Sequence, residues 1–144
     1  MKYLILLSLL LTSIATAEPV EQSYYKQHGD TKIFYSAFES SFLAPEVAVA
    51  YHFVRGKDKG LVNIAAVKTL GQGEVAKISG QVFNIFQQSQ TLEFVPIQEQ
   101  NSVYYLAPFA FDNEDFLTFK ITVKTEGSPS AYNFKFQKKM YHNQ

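Results

Sequence analysis

Phe116-Leu117-Thr118-Phe119-Lys120-Ile121-Thr122-Val123-Lys124-Thr125 is the stretch that decides the fold. Leu117, Phe119, Ile121 and Val123 alternate with Thr118, Lys120, Thr122 and Lys124. A period of two sends one row to a buried face and the other to water, which is the mark of a half-buried β-strand. A helix would need its apolar residues three and four apart.

The alternation recurs on both sides of this segment. Glu126 to Ser130 is a turn, and beyond it Tyr132, Phe134 and Phe136 alternate with Asn133, Lys135 and Gln137. Upstream, Ser102 to Phe111 carries Val103, Tyr105, Ala107, Phe109 and Phe111 at every second position. Val75 to Phe86 sets Ala76, Ile78, Val82 and Phe86 against Lys77, Ser79 and Gln81. Thr91 to Glu99 and Leu61 to Thr69 each form one further strand. Thr31 to Ser41 is apolar on both faces, as expected of a strand covered on both sides or of a bulged one. Ser23 to His28 is a short edge strand. Pro96 and Pro108 cannot donate to a ladder, which predicts edges or bulges there. Asn63 and Asn84 are polar residues placed inside apolar strands, where a buried amide must be hydrogen-bonded.

One helix is predicted, over Pro45 to Tyr51. Pro45 suits the first turn and Glu46 lies at the positive end of the helix dipole. Val47, Ala50 and Tyr51 form its expected inward face. Seven or eight short strands with one short helix predict an all-β chain: an antiparallel β-sandwich, immunoglobulin-like.

The N-terminus carries a different message. Lys2, the apolar run Tyr3 to Leu11 and the small-x-small triplet Ala15-Thr16-Ala17 read as a secretory signal peptide over residues 1–17, cut before Glu18. Residues 18–144 then form a single domain in the periplasm of a Gram-negative cell. The apolar run is shorter than the roughly 20 residues that span a bilayer, so no transmembrane segment is expected after export.

Composition narrows the function classes. There is no Cys, so neither disulfides nor a thiol nucleophile is available. The formal net charge is +0 and no basic run could neutralise a series of phosphates, so nucleic acid is not an expected partner. His28, His52 and His142 fit no catalytic or zinc pattern, and no metal or cofactor is expected. Asp112-Asn113-Glu114-Asp115 has oxygens for a calcium ion but reads first as a turn bonding its own backbone. Arg55 is the one arginine beside 12 lysines (the 13 basic residues less this one). Its planar fork suits a carboxylate, with Glu46 as the expected partner and an anionic ligand as the alternative. Arg55, Glu46 and Asn63 are therefore the candidate structural or ligand residues.

Several segments together resemble a known family. They are Tyr35-Ser36-Ala37-Phe38, Phe42 to Ala48 with Ala50-Tyr51, Arg55 with Gly60-Leu61-Val62-Asn63-Ile64, and Tyr104-Tyr105. This pattern resembles the exported proteobacterial proteins called domain of unknown function 4426. The resemblance implies a periplasmic single-domain protein and brings no activity, ligand or catalytic residue with it. Three functions remain open. The first is a non-enzymatic binding or protein-interaction module, with a periplasmic protein as its candidate partner. The second is an enzyme using carboxylates such as Glu39 or Glu46, and the third an accessory subunit pairing a sheet edge with a partner.

Overall fold

A computed structural model describes residues 24–68 and 71–142. The signal-peptide reading, including Ala15, Ala17 and Glu18, lies outside the described residues. The strands are β1 (Tyr25–His28), β2 (Thr31–Glu39), β3 (Lys59–Lys68), β4 (Gly73–Glu74), β5 (Ala76–Phe83), β6 (Ser89–Leu92), β7 (Val95–Glu99), β8 (Ser102–Ala110), β9 (Asp115–Thr125) and β10 (Tyr132–Met140). One short α-helix, α1 (Pro45–Ala50), lies between β2 and β3.

The strands form two antiparallel sheets. The first has the order β1-β2-β3-β8-β7 with β4 on β3, and the second the order β10-β9-β5-β6. Set beside the immunoglobulin plan, β2, β3, β8 and β7 take the places of the A, B, E and D strands. β10, β9 and β5 take those of G, F and C, with β6 beside C. The chain is an all-β sandwich.

Leu117, Phe119, Ile121 and Val123 are all buried between the sheets, as their alternation requires. Phe119 stacks on Phe136 at 4.7 Å between centroids and meets Phe109 edge-on at 5.2 Å. Gly80 lies opposite Ile121, where a Cβ would come within 2.5 Å of the Lys120 carbonyl oxygen, so only glycine fits that position on β5.

Strand number departs from expectation for a physical reason. Thr91 to Glu99 is not one strand, because β6 pairs with β5 in one sheet and β7 with β8 in the other. Glu93 and Phe94 carry the chain across the sandwich, and residue alternation alone does not reveal such a crossing. With β4 added, the described residues hold ten strands rather than seven or eight. Val75 to Phe86 also ends early: Phe86 is 78% exposed in a turn, not on the core face.

β2 is covered on its second face only towards its C-terminal end, because Lys32, Phe34 and Ser36 are exposed. Ile33 and Ala37 join the core between the sheets, whereas Phe38 packs into a second cluster with Ala48, Phe53, Leu61, Ile97 and Leu106 beneath α1. The helix buries Ala48 with Val47 and Tyr51 half-buried, and Ala50 faces water, correcting the expected inward face. Ala48 sits one turn from Tyr51 on the side that the sheet covers. α1 stops in a Schellman arrangement: Phe53 N–H donates to Ala48 O at 2.8 Å and His52 N–H to Val49 O at 3.3 Å, with His52 at φ 60°.

The prolines behave as edge residues. Pro96 lies on β7, which ends its sheet. Pro108 lies on the part of β8 beyond Leu106, where β7 no longer pairs with it.

Candidate functional site

The outer face of the second sheet is built from alternate residues of three paired strands. β5 contributes Lys77, Ser79, Gln81 and Phe83. β9 contributes Phe116, Thr118, Lys120, Thr122 and Lys124, and β10 contributes Asn133, Lys135, Gln137 and Lys139. These positions hold lysines, hydroxyls, amides and two rings, and no carboxylate. The sequence has no basic run, yet strand pairing assembles a basic surface from lysines scattered between positions 77 and 139.

Pairing sets like charges face to face. Lys77 lies directly opposite Lys124, and Lys120 directly opposite Lys135. Like charges at opposed positions destabilise a sheet. Part of that charge is tempered locally. Lys124 Nζ donates to Thr125 O at 3.0 Å and also to Ser128 O. Lys120 Nζ sits 4.6 Å from the Phe83 ring centroid and Lys139 Nζ 5.5 Å from that of Tyr141. Carbonyls and rings hold these cations without neutralising them. The Lys68–Glu74 ion pair, at 3.9 Å, lies elsewhere.

The basic surface continues round the β10 edge into a cleft of about 620 Å³ between the two sheets. Lys26, Lys135, Lys138, Tyr24 and Tyr35 line it, with no acid among its lining residues. Lys138 Nζ donates across the seam to Ala37 O, and Lys26 Nζ lies 5.9 Å from the Tyr35 ring centroid. A surface of one sign on a low-dielectric support concentrates counter-ions and attracts anionic partners.

The profile of the family described as "Domain of unknown function (DUF4426)" matches residues 25–143. This chain belongs to the DUF4426 family. A crystal structure of a DUF4426 family protein from Pseudomonas aeruginosa PAO1 is 32% identical with a TM-score of 0.76, over 83% of this chain and 95% of that one. FetP of uropathogenic E. coli strain F11, expressed recombinantly in the periplasm of E. coli, aligns over 83% of this chain and 94% of its own. Its TM-score is 0.60 at 9% identity, which marks a shared fold alone. No curated protein matches the chain.

The residues singled out in this DUF4426 sequence take separate places. Arg55 is exposed and donates from Nη2 to Ser41 O at 3.0 Å. Its contact is thus a backbone carbonyl beside β2 rather than the carboxylate of Glu46, which stays exposed in the first turn of α1. Asn63 lies between Ser36 and Leu106 on the helix-covered face, and its Oδ1 is buried with no hydrogen-bond partner. Asn84 is not in a strand. It organises the β5–β6 turn, where its Oδ1 accepts from Phe86 N–H and Gln88 N–H at 3.0 Å each.

The three histidines and the acidic turn of the DUF4426 chain make structural contacts. His28 stacks on Tyr132 at 4.7 Å, His52 ends α1, and His142 Nε2 lies 3.2 Å from Phe111 O. Asp115 Oδ2 accepts from Asp112 N–H at 3.1 Å, closing the acidic turn on itself. Among the described residues no group of three or more His, Asp or Glu side chains could hold a metal ion, and no helix is long and apolar enough to cross a membrane.

Proposed function

We propose that this DUF4426 protein is an exported, non-enzymatic binding module that takes anionic partners on the lysine face of β5, β9 and β10. One observation carries the reading: two directly opposed lysine pairs on a face without a carboxylate. A surface that costs stability as built, and becomes favourable when an anion neutralises it, is suited to a binding role. The histidines and the Asp112–Asp115 turn are engaged in stacking, capping and turn closure, which supports a binding role over a catalytic one.

Export follows from the first 17 residues, with cleavage after Ala17, Glu18 as the new N-terminus and residues 18–144 as one periplasmic unit. Intact mass of protein recovered from a periplasmic fraction tests this; full-length chain retaining Met1 in the cytoplasm would overturn it.

Anion binding is tested by titrating the exported chain with fluorescent dextran sulfate at low salt. Binding that weakens as salt rises, and that is lost when Lys77, Lys120, Lys135 and Lys139 are all changed to Gln, is the expected result. Absence of binding, or binding indifferent to those four changes, would sink the proposal.

A further inference from the structure

We infer that the anionic partner is a phospholipid surface, on which the lysine face lies while Ile85 and Phe86 enter the headgroup layer. The inference rests on the anion-binding reading above and names its partner. Its independent support is the apolar character of one end of the same sheet. Ile85 is 64% exposed and Phe86 78% exposed at the tip of the β5–β6 hairpin. Two large apolar side chains side by side in water need a reason, and exposed apolar groups rimmed by charge mark protein or membrane contacts.

The turn that carries them is preorganised. Asn84 Oδ1 receives Phe86 N–H and Gln88 N–H, Asn84 Nδ2 donates to Gln88 Oε1 at 2.7 Å, and Asn84 N–H donates to Gln88 O at 3.0 Å. Gln87 adopts φ 62° to close it. A held turn presents the Ile85-Phe86 pair without an ordering cost at the moment of contact.

Rings and cations are interleaved next to it. Phe116 is 42% exposed on the outer face and lies directly opposite Lys139. Tyr141 is half-exposed beside the Lys139 ammonium, and Phe83 lies under that of Lys120. Aromatic rings with lysines around them match the interface of an anionic bilayer, where rings lie at headgroup depth and ammonium groups meet phosphates. A soluble polyanion offers nothing for Ile85 and Phe86. Of the acids at this end, Asp58, Asp112 and Asp115 line a cleft between the sheets with Val82 and Leu117 rather than the lysine face, and Glu114 is exposed in the β8–β9 turn.

The test is co-sedimentation of the exported chain, its N-terminus fixed by intact mass, with two kinds of vesicle: pure phosphatidylcholine, and an equimolar mixture with phosphatidylglycerol. Binding to the mixed vesicles and not to the neutral ones is expected. Each lysine beside an anionic surface contributes about fivefold, so Lys77→Gln, Lys120→Gln and Lys135→Gln together weaken binding about 100-fold. Ile85→Ser with Phe86→Ser weakens vesicle binding and leaves dextran sulfate binding unchanged, with the urea midpoint confirming that the variant folds. Dextran sulfate binding without vesicle binding would overturn the lipid inference and leave anion binding standing; loss of both would remove both. Vesicle binding indifferent to the Ile85 and Phe86 changes would overturn the insertion of that turn.

Discussion

The side-chain amide of Gln90 pairs with the backbone of Ala110 as a strand would. Gln90 Nε2 donates to Ala110 O at 2.7 Å and Ala110 N–H donates to Gln90 Oε1 at 2.8 Å. Gln90 belongs to β6 in one sheet and Ala110 to β8 in the other, beyond the reach of β7. Pro108, two residues earlier on the same edge, has no N–H to offer. On the opposite seam Lys138 of β10 donates to Ala37 O of β2. Each side of the sandwich thus carries a side chain of the second sheet bonded to the backbone of the first.

Gln90→Ala therefore lowers stability by about 1 kcal/mol, at the modest end because the site is exposed and water can replace the amide. Gln90→Glu keeps an acceptor for Ala110 N–H but sets a carboxylate against Ala110 O, and falls at least as far. Urea midpoints at pH 7 rank both variants below the parent.

Adjacent residues on β9 separate core from surface. Phe119 is fully buried against Phe109 and Phe136, so Phe119→Ala costs about 3–5 kcal/mol. Lys120→Ala loses a contact with the Phe83 ring and relieves the opposed Lys135, and stays within about 0.5 kcal/mol. Equal effects in urea melts would contradict the assigned faces.

Asn63 is tested by two changes at one position. Its Oδ1 is buried without a partner, so Asn63→Leu leaves stability unchanged or raises it by up to about 1 kcal/mol. Asn63→Asp would place a charge at the same spot and lowers stability by more than about 2 kcal/mol at neutral pH. The order of the three urea midpoints decides the matter.

Arg55→Lys shifts the urea midpoint by no more than about 0.5 kcal/mol, because the guanidinium is exposed and makes one bond, to Ser41 O. A loss well above 1 kcal/mol would point instead to a clamp formed by both arms of its fork.

Strands, their faces and α1 were legible in the sequence because alternation and capping are local. Leu117 and Phe119 announce a core face within five residues of chain, and Pro45 with Glu46 announces a helix start. Three features depend on which strands become neighbours: the split of Thr91–Glu99 between two sheets, the seam bonds of Gln90 and Lys138, and the basic face on which Lys77 meets Lys124 and Lys120 meets Lys135. Residue alternation assigns each side chain to one face of its own strand but says nothing about the strand beside it. Register between distant segments is set by how both faces bury their apolar rows at once. The sequence by itself thus determined a sandwich-forming chain and its family, while the lysine surface came into being only when β5, β9 and β10 paired.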